Sequence, residues 1–64
     1  MRTQQRRAGE IRIGDLVVCD DGRLLTVTSM RMQGLGPGVV SVAFAELGHR
    51  VSYRPADAVL VVTS

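Results

Sequence analysis

The sequence has no lysine and no tryptophan, and it has only one cysteine, one histidine, one phenylalanine and one tyrosine. The single cysteine excludes an internal disulfide framework, and a lone Cys with a lone His does not supply the ligands of a structural metal site. No stretch reaches the apolar length of a membrane span, and the basic start is not followed by the apolar run of a secretory signal. We therefore expect one small soluble domain in a reducing cytoplasm, with no metal, no cofactor and no membrane partner.

Aromatic side chains are so scarce that the core must consist mainly of small branched residues, most of them valine. A chain of 64 residues buries a modest apolar area, so such a core is barely sufficient for a monomer. This shortage favours a fold in which every apolar side chain is used, and it leaves room for a partner or a second copy to add burial.

Positive charge is concentrated at the start of the chain. Residues 1–9 contain Arg2, Arg6 and Arg7 and no acid, whereas the remainder has five arginines against six acids and is nearly neutral. Residues 1–9 also lack any hydrophobic period. We expect them to form a flexible, disordered Arg-rich arm, with residues 10–64 as the folded domain.

From residue 10 onward the pattern indicates β-structure. Five strands are predicted, at residues 16–19, 24–32, 39–46, 50–54 and 59–62. Asp21-Gly22 between two apolar runs predicts a hairpin with a type I′ turn, and blurred alternation near Ser29 and Met30 predicts a bulge. Residues 55–58 are expected to form one turn of 3₁₀ helix before the last strand.

Alternation along two strands predicts which side chains face the core. In residues 39–46 the larger side chains lie on one side and predict the core face: Val40, Val42 and Phe44. In residues 50–54 the pair Val51 and Tyr53 points inward, and the opposite side carries Arg50, Ser52 and Arg54.

The layout of residues 13–17 (IGDLV), 21–22 (DG), 40–42 (VSV) and 53–59 (YRPADAV) resembles SH3-like barrels of the KOW and translation-factor kind. Over residues 11–63 it is most similar to the N-terminal domain of bacterial elongation factor P and to small uncharacterised SH3-like proteins of actinobacteria. The latter carry a Gly-His, aromatic, Pro and Asp-Ala-Val succession in their last strands. The resemblance implies an all-β fold, a small five-stranded SH3-like barrel.

One departure from elongation factor P concerns the loop through which that family contacts RNA. Its Pro-Gly-Lys-Gly loop presents a lysine, whereas the corresponding loop here is Gly36-Pro37-Gly38-Val39 and the chain has no lysine to modify. A ribosomal role is therefore not expected from the resemblance.

Arginine is the residue type most suited to bidentate contacts with phosphate, and basic arms commonly follow nucleic-acid backbones. We therefore expect a non-enzymatic module that binds DNA or RNA through six residues: Arg2, Arg6, Arg7, Arg31, Arg50 and Arg54. The alternative is a protein-interaction or homo-oligomeric assembly module that uses exposed strand edges and the Gly-rich loop at Leu35, Gly36 and Pro37.

An enzyme is not expected, because nothing in the sequence places the single histidine, His49, beside the single cysteine, Cys19. Asp20 and Asp21 are adjacent in a predicted hairpin turn, where two such carboxylates point apart and act as turn formers rather than as a cation site.

Overall fold

A computed structural model describes residues 1–33 and 38–63 of the chain. The fold is all-β, with one short 3₁₀ turn at Ala8–Glu10. The six strands are β1 (Thr3–Arg7), β2 (Leu16–Val18), β3 (Leu24–Gln33), β4 (Val39–Phe44), β5 (Arg50–Tyr53) and β6 (Ala58–Val62). They form one antiparallel sheet in the order β1-β6-β2-β3-β4-β5, in which β1 and β5 are the two edges, so the sheet is not closed. Within the described residues, no helix is long and apolar enough to cross a membrane.

The core lies on one side of this sheet and is mostly valine, as the composition predicts. Val40, Val42 and Phe44 are buried, which confirms the core face predicted for the third strand of the sequence pattern. The other buried apolar residues are Ala8, Ile11, Val17, Leu25, Val27, Val59 and Val61. Val51 and Tyr53 pack against this cluster from β5, and Arg50 and Ser52 are exposed on the opposite side, again as the alternation predicts.

Strand β3 is shared by two parts of the sheet. Its first residues pair with β2, and from Val27 onward it pairs with β4. The register shifts between Val27 and Ser29, which places a β-bulge beside the predicted position. Because a bulge bends and twists its strand, the outer surface of β3 beyond Ser29 faces a different direction from the outer surface of β6, β2 and the start of β3.

The arm predicted to be disordered is a strand, and this prediction was wrong. Residues 3–7 pair with β6 along its whole length, from Thr3 opposite Val62 to Arg7 opposite Ala58. The chain then enters the core: Ala8 is fully buried, and its backbone N–H donates to the carbonyl oxygen of Asp57 at 2.7 Å. The side chains of β1 are almost all exposed, so backbone pairing alone holds the strand and no hydrophobic pattern marks it. The sheet therefore has six strands rather than five.

Two turns differ from their predicted forms. The hairpin between β2 and β3 exists, but Gly22, with φ of 86°, is the only residue in its turn with a positive φ. Gly22 N–H donates to Cys19 O and Cys19 N–H donates to Arg23 O, which is a three-residue loop with a glycine bulge rather than a type I′ turn. Residues 55–58 contain no 3₁₀ helix; Asp57 N–H donates to Arg54 O in a single turn.

Candidate nucleic-acid interface

The outer side of β3, β4 and β5 brings together two of the predicted arginines. Cross-strand partners lie on the same side of a sheet, so the pairs Arg31–Ser41 and Ser41–Ser52 form one row across the three strands. The neighbouring row contains Ser29, Ala43 and Arg50. We call the surface formed by Ser29, Arg31, Ser41, Arg50 and Ser52 the Arg/Ser face.

Arg50 lies flat across the Arg/Ser face. Its Nε donates to Ser41 Oγ at 2.6 Å, and its Nη2 donates to the backbone carbonyl oxygen of Ser41 at 2.9 Å. Longer contacts of 3.4 and 3.5 Å join Nη1 and Nη2 to Ser29 Oγ. Every one of these acceptors is neutral, so the guanidinium group is held in place while its charge stays uncompensated. This is the reason Ser41 is the one polar residue that is buried in the described parts of the chain.

Arg50 retains donors for a ligand. A guanidinium group has five N–H donors, and the two short bonds to Ser41 use only two of them. The contacts to Ser29 lie at or beyond the upper end of ordinary hydrogen-bond lengths and are weak. An incoming phosphate oxygen can therefore replace the contacts to Ser29. The Arg50 side chain is already ordered by Ser41, so binding costs little further side-chain entropy.

Arg31, on β3, and Arg54, after β5, add positive charge beside Arg50. Arg31 lies opposite Ser41 on β3, and its side chain makes no hydrogen bond or ion pair with any residue in 1–33 or 38–63. Arg54 follows β5 and is exposed; only its backbone N–H is engaged, by Asp57 Oδ2 at 2.9 Å. The strands β3, β4 and β5 contain no acidic residue.

The three N-terminal arginines do not join this surface. β1 is the opposite edge of the sheet from β5, and its side chains alternate, so Arg6 and Arg7 point to different sides. Arg6 donates to Gln4 Oε1 at 3.3 Å, and Arg7 lies 4.0 Å from a Glu10 carboxylate oxygen. The structure therefore places Arg6 and Arg7 on β1, whereas Arg31 and Arg50 lie on β3 and β5.

Glu46 lies in the turn after β4, and its carboxylate is engaged by Thr26. Its carboxylate accepts the Thr26 backbone N–H at 2.6 Å and the Thr26 hydroxyl at 2.9 Å. The backbone hydrogen bond, with the hydroxyl bond after it, lowers the pKa of Glu46 below its ordinary value although burial opposes the shift. This contact ties the turn after β4 to β3.

The lowered pKa of Glu46 predicts a pH dependence of stability. A carboxyl group whose pKa is lower in the folded state stabilises the fold above its unfolded pKa, and this contribution is lost as the pH falls through the folded value. Between about pH 6 and pH 3, the melting temperature of the wild type should therefore fall further than that of Glu46→Gln. Thermal melts followed by circular dichroism measure the difference. Glu10→Gln is the control and should follow the wild type; equal losses for the wild type and Glu46→Gln would contradict the prediction.

The residues weighed as catalytic or metal-binding groups do not form one cluster. Cys19 packs against the core near Tyr53 at the end of β5, whereas His49 is exposed before the first residue of that strand. Burial, followed by the charge of Asp21, raises the pKa of the Cys19 thiol, which disfavours a reactive thiolate. Asp21 is engaged by Arg23, whose Nε lies 2.7 Å from Asp21 Oδ2. No group of three or more potential metal ligands occurs in the described residues.

The predicted partner-contacting loop, Leu35, Gly36 and Pro37, lies outside the described residues. Two side chains of the Arg/Ser face that contact Arg50, Ser29 and Ser41, were not predicted from the sequence. The alternation of β4 places Ser41 on the polar side, but only the register with β5 shows that Arg50 reaches it.

Comparison of the chain with protein-family models, with curated proteins and with solved structures finds no match.

Proposed function

We propose that the protein is a non-enzymatic, SH3-like β-module that binds the phosphates of a nucleic acid on its Arg/Ser face. The observation that carries the proposal is Arg50, which is held across β4 by neutral oxygens with its charge uncompensated. Arg31 on β3 and Arg54 after β5 are exposed and add two further positive charges beside it. Such an arrangement suits phosphate, because the charge is already positioned and no carboxylate must be displaced.

The SH3-like part of the proposal is supported by the order of the last five strands. They run β6-β2-β3-β4-β5, a meander whose final strand returns to pair with its first. The long, bulged β3 crosses from one part of this sheet to the other, as a strand of a bent, partly open barrel does. β1 is an addition outside β6.

The interface lacks aromatic side chains on which bases could stack, since Tyr53 packs toward the core. The planar guanidinium group of Arg50 can stack on a base instead, because guanidinium planes stack on bases as aromatic rings do. Binding should therefore depend chiefly on phosphate charge and only weakly on base identity.

The test is the salt dependence of binding to fluorescently labelled single-stranded and duplex oligonucleotides, measured by anisotropy. If Arg31, Arg50 and Arg54 neutralise three phosphates, the log–log slope should be about −2.7 on duplex DNA and about −2.1 on a single strand. The double variant Arg31→Gln/Arg50→Gln should flatten the slope on duplex to about −0.9 and weaken binding at low salt at least about tenfold.

The matched control removes the same charge elsewhere. Arg12→Gln/Arg23→Gln alters two exposed arginines outside the Arg/Ser face and should bind within about twofold of the wild type. A triple variant of Arg2, Arg6 and Arg7 to Gln tests the other group of arginines. Absence of binding at low salt, or a larger loss in either of these two variants than in Arg31→Gln/Arg50→Gln, would overturn the proposal.

A further inference from the structure

A cleft opens where β2 separates from β6. The pairing of the two strands ends at Val18 and Leu60. Beyond this pair, Cys19 enters the hairpin turn, whereas β6 begins two residues before Leu60, at Ala58, and pairs there with β1. The resulting gap is a cleft of about 370 Å³, lined by residues 17–20, residues 58–60 and Tyr53 of β5.

The walls of the cleft are mostly aliphatic. Val17 and Val59 belong to the buried core, whereas Val18 is half-buried and Leu60 is exposed, so the cleft extends from the core to the surface. A short aliphatic chain that enters it leaves water and contacts these side chains. Each methylene group buried in this way should strengthen binding about fourfold.

Three polar side chains line the same cleft: Cys19, Asp20 and Tyr53. Asp20 is the only charged residue among the eight described residues that line it. Burial raises the pKa of the Tyr53 phenol, and the neighbouring groups of Cys19 and Asp20 raise it further. The phenol and the Asp20 carboxylate are therefore close enough to act on one ligand.

The carboxylate of Asp20 differs from that of Asp21 in having no partner. Asp21 accepts the Arg23 backbone N–H at 3.0 Å and the Arg23 Nε at 2.7 Å. Within residues 1–33 and 38–63, neither the Asp20 carboxylate nor the Tyr53 hydroxyl has a hydrogen-bond or ion-pair partner. Arg23 is thus engaged by Asp21, and the charge of Asp20 is available to a ligand. A single carboxylate does not supply a metal site, but it suffices for an organic cation.

We infer that the cleft binds a primary alkylammonium group. The aliphatic chain of the ligand lies against Val18 and Leu60, and its ammonium group donates to the Asp20 carboxylate and the Tyr53 hydroxyl oxygen. An ammonium group has three donors and no acceptor, which matches two neighbouring acceptors without partners. A lysine side chain of a partner protein and a free alkylamine share this chemistry. The chain has no lysine, so a second copy cannot supply one.

This site does not rest on the proposed nucleic-acid function. Tyr53 packs toward the core, whereas Arg50 and Ser52 lie on the opposite side of β5. No residue of the Arg/Ser face lines the cleft within the described parts of the chain. Substitutions in the cleft and on the Arg/Ser face can therefore be tested separately.

Titration of the isotope-labelled full chain with n-butylammonium chloride, followed by nuclear magnetic resonance, tests the inference. The amide signals of Cys19, Asp20 and Val59 should shift and saturate with a dissociation constant in the millimolar range. Methylammonium should bind at least about tenfold more weakly, because it lacks the longer aliphatic chain. The neutral analogue n-butanol should bind at least about threefold more weakly, because it lacks the charge.

Two variants test the polar contacts. Asp20→Asn and Tyr53→Phe should each weaken n-butylammonium binding at least about threefold. Glu10→Gln removes the same charge as Asp20→Asn from an exposed site outside the cleft, and it should bind within about 1.5-fold of the wild type. Circular dichroism establishes that the variants are folded; the exposed position of Asp20 makes Asp20→Asn the decisive variant if Tyr53→Phe is not.

A peptide with blocked ends and one central lysine distinguishes the two sources of the ligand. Tighter binding of this peptide than of n-butylammonium assigns the cleft to a lysine of a partner protein, and equal or weaker binding assigns it to a free alkylamine. Three results would overturn the inference: no saturable shift at the cleft amides, n-butanol binding as tightly as n-butylammonium, or folded Asp20→Asn binding like the wild type.

Discussion

Replacing Phe44 by alanine should lower the free energy of unfolding by about 3–4 kcal/mol, the largest effect we expect from any single substitution. Phe44 is the only phenylalanine in the chain, it is 3% exposed, and it pairs with Val27 at the bulge where the two parts of the sheet meet. The surrounding core is mostly valine, whose stiff, short side chains cannot extend into the cavity. The lost stability therefore has two parts: the burial free energy of the aromatic ring and the cost of a cavity that does not collapse.

The expected loss for Phe44→Ala is large relative to the total stability of the domain. A domain of this size is stable by only about 3–10 kcal/mol, so the variant should melt on the order of 15–25 °C lower and be partly unfolded at room temperature. Urea unfolding followed by circular dichroism measures the change. Met32→Ala, which removes an exposed apolar side chain from the end of β3, should change stability by less than about 0.5 kcal/mol. Similar losses for the two variants would contradict the burial of Phe44 in the core.

Deletion of residues 1–8 should destabilise the protein, whereas removal of the charges in the same segment should not. The deletion removes a strand with five cross-strand pairs, the fully buried Ala8, and the 2.7 Å hydrogen bond from Ala8 N–H to Asp57 O. It also leaves β6 as an open edge. Each lost backbone hydrogen bond is worth about 0.5–1.5 kcal/mol net, so we expect a loss of at least about 2 kcal/mol and a melting temperature lower by about 10 °C or more.

The control for the deletion is the triple variant of Arg2, Arg6 and Arg7 to Gln. It keeps the backbone of β1 and should melt within about 4 °C of the wild type, because these side chains are largely exposed and their contacts are weak. Thermal melts of the wild type, the deletion variant and the triple variant measure these differences in melting temperature. A deletion variant as stable as the wild type would mean that residues 1–8 behave as a free arm. Because the deletion removes structure as well as charge, the contribution of this segment to binding must be measured on the triple variant.

Much of the fold follows from local patterns. Alternation along β4 and β5 predicted the buried and exposed sides, because successive side chains in a strand point to opposite faces whatever its neighbours are. Glycine and aspartate marked the hairpin after β2, and the loss of alternation near Ser29 marked the bulge. These signals depend on residues close together in the chain.

Three features depended on the register between strands far apart in the chain. β1 is held by backbone bonds to β6, which any side chains permit, so an Arg- and Gln-rich segment had the same appearance as a disordered arm. The contact from Arg50 to Ser41 needs the pairing of β5 with β4. The outward row of Leu60, Val18 and Leu24 needs the pairing of β2 with both β6 and β3. Side-chain alternation within one strand shows which residues share a face, but hydrogen-bonded pairing decides which strands share that face. The class of fold and the core could therefore be predicted from local sequence patterns, whereas the Arg/Ser face was decided by the tertiary pairing of the strands.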